Sequence, residues 1–81
     1  MIKNAIEDLE WWIKNKKIVA IKILQLIQQI SLKPFEGLGK PEALKFELAG
    51  CWSRRINAEH RIVYHVTDTK IKILQCRYNY S

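Results

Sequence analysis

Hydrophobic positions in the first third of the chain fall at helical spacing: Ile2, Ile6, Leu9 and Ile13, with Trp12 beside that stripe. The pattern predicts a helix with one face turned inward, ending at about Asn15. Asn4 is placed to cap it, Glu7 three residues later completes a capping box, and Asp8 and Glu10 favour the positive end of the helix dipole. Trp11 and Trp12 are adjacent and cannot share a face, so one of them is expected to look away from the helix's main contact. A break at Asn15-Lys16-Lys17 leads into a second predicted helix over residues 17–31, where Val19, Ile23, Leu26, Ile27 and Ile30 form a wide apolar face. So short a connection implies an antiparallel pair, and so broad a face needs cover from more than one side, most simply from a sheet.

The period then changes to two. Residues 33–42 are punctuated by two prolines and two glycines and read as a loop. Four strand candidates follow, at 44–49, 51–56, 61–66 and 70–78, separated by Gly50, by Asn57 to His60, and by Thr67-Asp68-Thr69. Leu44, Phe46 and Leu48 alternate with Lys45, Glu47 and Ala49, and Ile62, Tyr64 and Val66 alternate with Arg61, Val63 and His65. The expected fold is α+β: an antiparallel helix pair on one face of an antiparallel meander of about four strands. Lys45 and Arg61 then belong to the opposite face. Whether Arg54 or Arg55 joins them depends on register, because a slip of one residue exchanges the faces of a strand.

Composition narrows the partner. Eighty-one residues make one small domain with a modest core. Fourteen Lys and Arg against eight Asp and Glu give a net charge of +6, which favours a polyanionic partner. Three of the acids, Glu7, Asp8 and Glu10, lie within the first ten residues, so the remainder is more basic than the total implies. Lys14, Lys16, Lys17 and Lys22 read as a solvated lysine face. Cys51 and Cys76 lack the spacing and neighbouring ligands of a zinc site and read as buried free thiols. No apolar run is long enough for a membrane span and no leader is evident, so a reducing cytoplasm is the expected location.

Candidate chemistry gathers between Gly37 and the C-terminus. Arg54, Arg55 and Arg61 sit in two strand-like runs joined by a polar turn, a candidate phosphate site. Gly37 and Gly39 could let backbone approach a phosphate, but no G-K-[ST] follows, so a nucleotide P-loop is rejected. Glu42, behind Pro41, reads either as the N-terminal acid of a short helix or as a catalytic carboxylate. Tyr78 reads as a ring packed on the sheet or stacked on a base, and Tyr80 is the better stacking candidate.

Pro34-Phe35-Glu36-Gly37, Gly39-Lys40-Pro41-Glu42, Leu44-Lys45, Gly50, Trp52-Ser53-Arg54-Arg55-Ile56, Glu59-His60-Arg61 and Val63-Tyr64, in this order and spacing, make a chain that resembles the Txe/YoeB family of toxins in the RelE superfamily. The resemblance implies a microbial ribonuclease-like fold and a ribosome-dependent endoribonuclease cutting messenger RNA in the decoding site. It also implies neutralisation by a YefM-like antitoxin, with operator DNA met only through that antitoxin, and a homodimer as a family expectation. Carried over, Glu42 is the general base, Arg61 the arginine that balances charge on the transition state, Lys45 and Arg55 the basic residues holding RNA, and Tyr80 the aromatic beside the site. No metal or cofactor is implied.

The chain departs from this pattern twice. Asn79 stands where relatives ending in Arg-Tyr-His-Tyr use a histidine as general acid, and an amide cannot serve as that acid. Relatives also open with a short strand ahead of the first helix, which this chain is expected to lack, leaving a sheet edge exposed. Two functional classes therefore stay open: an RNA-cleaving toxin with weakened acid catalysis, and a decayed toxin that binds antitoxin or ribosome without cutting. A generic basic RNA-binding domain is a third. His60 is expected to be structural, while His65 falls on the Arg61 face.

Overall fold

A computed structural model describes residues 1–78; Asn79 and Tyr80 lie outside the described residues. In order along the chain it contains α1 (Lys3–Asn15), α2 (Lys17–Leu32), β1 (Glu42–Ala43), a 3-10 turn (Phe46–Leu48), β2 (Cys51–Arg55), β3 (Arg61–Val66) and β4 (Ile71–Gln75). The four strands form an antiparallel sheet in the order β1-β2-β3-β4, and both helices pack on one of its faces. This is the expected α+β architecture.

Lys16 alone separates the two helices, and its N–H bonds the Trp12 carbonyl at 2.7 Å to close α1. Both helices meet the sheet through one core cluster containing Ala5, Trp12, Ala20, Ile23, Leu26, Ile30, Ile56, Ile62, Tyr64, Ile73 and Cys76. The inward arc of α2 is the expected one. That of α1 is rotated: Ala5 and Trp12 are buried and Leu9 packs beside them, whereas Ile6 and Ile13 are 46% and 45% exposed. The indole of Trp12 sets this orientation, because its N–H must find an acceptor when buried and does so at the Cys76 carbonyl, 2.8 Å away. The expected capping box is absent, since α1 starts at Lys3, Ile2 holds the cap position, and no side chain caps the helix. The N–H of Ile2 instead donates to the Ile73 carbonyl, and no strand precedes α1 among the described residues. β4 is the edge on that side.

Helix-facing positions of the sheet are Trp52, Arg54, Ile62, Tyr64, Val66, Ile71 and Ile73, and the opposite face carries Cys51, Ser53, Arg55, Arg61, Val63 and His65. A small second cluster of Leu44, Cys51 and Val63, flanked by Leu48 and Leu74, covers part of that opposite face.

The strand expected over 44–49 is not there. Pairing with β2 is confined to Glu42 and Ala43, extended by a bond from the Leu44 N–H to the Cys51 carbonyl, after which the chain turns through Phe46–Leu48. Leu44 and Leu48 do point into the second cluster, but Phe46 is 91% exposed and has a φ of 58°. The short helix expected after Pro41 is likewise replaced by β1. β4 stops at Gln75 rather than Tyr78, because a register shift opposite Val63/Tyr64 turns Cys76 inward, where the Asp8 carboxylate accepts its N–H at 3.0 Å.

Candidate active site on the open face of the sheet

The sheet register brings the candidate residues together. Glu42 pairs with Ser53, which pairs with Val63, so these three side chains form a row across the face away from the helices. The next row toward the β2–β3 turn is Arg55 opposite Arg61. Glu42 and Arg61 therefore sit two strands apart, about 10 Å across the sheet, and both can reach toward a group lying over β2. Arg55 is exposed and Arg61 half-buried. Lys45 is exposed just beyond β1, and the segment from Glu42 to Leu48 lines a cavity of about 440 Å³. A carboxylate and two guanidinium groups thus share one face of the sheet, with the exposed Lys45 just beyond β1.

Arg54, expected to join the phosphate-binding group, does not. It is fully buried on the helix side, where its Nη2 donates to the Lys33 and Glu36 carbonyls, its Nη1 to Leu38 and its Nε to the Tyr64 hydroxyl. Tyr64 in turn donates to the Pro34 carbonyl at 2.6 Å. A guanidinium carries five donors in a fixed fork, and here that fork holds the 33–38 loop against the sheet. The glycines of this loop serve the same packing rather than a phosphate. A Cβ on Gly39 would lie 2.9 Å from the Arg55 carbonyl and 3.0 Å from Arg54 Cβ, while the Gly39 carbonyl accepts the Arg55 N–H at 2.7 Å. Gly39, with a φ of 85°, is what lets the loop run this close to β2 and deliver Glu42 three residues later.

The β2–β3 turn is closed by Asn57, whose side-chain oxygen accepts the N–H groups of Glu59 and His60, both at 2.9 Å. His60 is structural, as expected: its ring meets Trp12 edge-on, and its Nδ1 accepts the Tyr78 N–H at 2.7 Å. The Tyr78 carbonyl accepts the Arg61 N–H at 3.0 Å, so the chain ahead of Asn79 is held at the start of β3. The Tyr78 ring lies between His60 and Arg77 rather than flat on the sheet. His65 shares the face of Arg61 but sits near the other end of β3, opposite Cys51.

Ser53 carries no pattern that sequence reasoning could have caught. It is fully buried beside Glu42 and Val63, and its hydroxyl has no hydrogen-bond partner among the described residues. Cys51 is close by, and burial pushes its thiol up, which favours the neutral form over the nucleophilic thiolate. No group of three metal-ligating side chains occurs among the described residues.

Known proteins share both sequence and fold with this chain. The family model for a YoeB-like toxin of bacterial type II toxin-antitoxin system matches residues 1–80. Toxin YoeB of Escherichia coli strain K12 is 50% identical over 74 residues, covering 91% of this chain and 88% of that one. A solved YoeB/ParE toxin from Agrobacterium tumefaciens is 42% identical with a TM-score of 0.92, covering 98% of this chain and 94% of its own. The YoeB dimer and the YoeB-YefM complex from Staphylococcus aureus each match at 46% identity, with TM-scores of 0.88 and 0.87, over 98% of this chain and 92% of theirs. With this similarity running the length of both helices and the sheet, the chain belongs to the YoeB-like toxins of bacterial type II toxin-antitoxin systems.

Proposed function

We propose that this toxin is a ribosome-dependent endoribonuclease that cuts messenger RNA in the decoding site, with Glu42 as general base. The observation that carries the reading is the register placing the Glu42 carboxylate on the sheet face that also bears Arg55 and Arg61. Glu42 takes the proton from a ribose 2′-hydroxyl as that oxygen attacks the adjacent phosphorus. The bond from phosphorus to the 5′-oxygen breaks, leaving a 2′,3′-cyclic phosphate and, once protonated, a 5′-hydroxyl. Arg61 balances the extra negative charge of the transition state, and Lys45 and Arg55 hold the backbone. Asn79 cannot supply the proton for the leaving oxygen; Tyr80 donates it or Arg61 stabilises the oxygen, so turnover is slower than with an imidazole acid.

The net charge of +6 fits a ribosomal RNA and messenger RNA environment. Relatives solved as a dimer and as a YoeB-YefM complex support a homodimer and a YefM-like antitoxin as partners here. Operator DNA bound only through that antitoxin, and the cytoplasm as the site of action, belong to the same proposal. Asn79 favours a second reading, a decayed toxin that still binds antitoxin or ribosome but does not cut. Incubation with programmed ribosomes separates the two: cut RNA ending in a 2′,3′-cyclic phosphate, formed faster by Asn79→His, supports the enzyme, and ribosome binding without cut RNA supports the remnant.

A further inference from the structure

Three parts of the chain grip the segment after β4. From α1, Trp12 donates to the Cys76 carbonyl and Asp8 accepts the Cys76 N–H, while the Arg77 guanidinium lies 3.5 Å from the centre of the Trp11 ring. From the β2–β3 turn, His60 Nδ1 accepts the Tyr78 N–H, and from β3 the Arg61 N–H donates to the Tyr78 carbonyl. Tyr78 is held in this double contact at a φ of 65°, a conformation that L side chains rarely adopt. The His60 ring is itself fixed, its centroid 4.8 Å from that of the buried Trp12 at an interplanar angle of 89°.

We infer that His60 is a positioning residue for RNA cleavage, a latch whose Nδ1 fixes the Tyr78 backbone, which in turn holds the backbone of Arg61. The inference rests on the endoribonuclease reading above. A group that serves the leaving oxygen acts only within hydrogen-bond reach of it, and a misplacement of about 1 Å costs on the order of 10²-fold in rate. The contact needs an acceptor, so the neutral imidazole carries its proton on Nε2 and leaves Nδ1 to receive the Tyr78 N–H. The Arg77 guanidinium lies 4.6 Å from the centre of the Tyr78 ring. From α1, the neutral Trp12 ring meets that of His60.

Two substitutions separate the ring from the acceptor. His60→Phe keeps an aromatic ring against Trp12 and removes the acceptor; His60→Asn puts a carbonyl oxygen in the place of Nδ1 and removes the ring. Each folded variant is read by hydrogen exchange at the Tyr78 amide and by kcat and KM on programmed ribosomes. In His60→Phe the amide exchanges faster by about tenfold, the worth of one hydrogen bond, and kcat falls by about 10²-fold with KM unchanged. His60→Asn keeps both near native. Native exchange and kcat in His60→Phe, or equal losses in both variants, overturn the latch. Where His60→Phe does not fold, the Tyr78 amide of the native chain decides: slowed exchange supports the latch, and exchange at the rate of an unstructured amide overturns the inference. If the native chain never cuts RNA, the endoribonuclease reading fails, and the amide exchange alone judges whether His60 holds the tail.

Discussion

Arg55 and Arg61 stand directly opposite each other across the β2–β3 pair, two positive charges at one register position. Like charges so placed work against the fold, and an anion lying over them reverses that cost. Arg55→Gln is therefore expected to stabilise the protein by about 0.5 kcal/mol in urea unfolding. The same change should weaken binding of a single-stranded RNA oligonucleotide and lower its salt dependence by about 0.7 in log-log slope, one phosphate contact's worth. Lower stability together with undiminished RNA binding contradicts the assignment of Arg55 to the backbone grip.

Arg54 has the opposite character. Its charge is buried and spread over the Lys33, Glu36 and Leu38 carbonyls and the Tyr64 hydroxyl. Arg54→Ala leaves those acceptors behind and is expected to cost about 3 to 5 kcal/mol, a large share of the roughly 5 to 15 that a small domain holds. Arg54→Lys should recover little, because an ammonium cannot reproduce the planar fork. Urea midpoints of the two variants test this, and a native-like midpoint for Arg54→Lys contradicts it.

Gly39→Ala probes the coupling between the loop and the site. The added methyl meets the Arg55 carbonyl at 2.9 Å on a backbone with φ at 85°, so strain and overpacking act together. A loss of about 2 kcal/mol is expected in thermal unfolding. Cleavage should fall further than stability predicts, since the displaced chain carries Glu42.

Cys76 gives the fold an alkaline limit. Burial, and then the Asp8 carboxylate, push its thiol up to about 12, and its sulfur lies 3.5 Å from the Ala5 carbonyl. The native state keeps the thiol neutral, whereas the unfolded chain ionises it above the ordinary value near 9.0. Unfolded chain then binds fewer protons than native, so stability is fully present below about pH 9 and declines as pH rises toward 12. Urea midpoints across that range should fall in the native chain and fall less in Cys76→Ala, and alkylation of the folded protein at neutral pH should be slow at Cys76.

Local pattern carried much of this structure. α2 follows from periodicity because its buried positions, Ala20, Ile23, Leu26 and Ile30, repeat at the helical period, whereas β2 and β3 follow from the turn residues that bound them, since both of their faces carry buried side chains. α1 was legible as an element but not in orientation: Ile6 and Ile13 match the helical repeat as well as Ala5 and Trp12 do, and only the distant Cys76 carbonyl decides between the arcs. The alternation of Leu44, Phe46 and Leu48 suggested a strand, although a turn that buries Leu44 and Leu48 against Val63 satisfies the same spacing. Register was the quantity local pattern could not supply. It separates Arg54 from Arg55, places Ser53 beside Glu42, and joins His60 to Tyr78 across 18 positions. Arg55 and Arg61 were candidates on the hairpin pattern and Glu42 on its loop, their roles and that of Lys45 came from family resemblance, and the grouping of Glu42, Arg55 and Arg61 on one face comes from that register.

The most direct measurement is cleavage of messenger RNA on programmed ribosomes by the native chain and Glu42→Ala side by side, with cut sites mapped by primer extension and both proteins shown to be folded and ribosome-bound. The account predicts cuts at the decoding site by the native chain and a loss of about 10² to 10⁴-fold in Glu42→Ala, the usual contribution of a general base. Equal cutting by the two proteins, or bound native protein that never cuts, contradicts it.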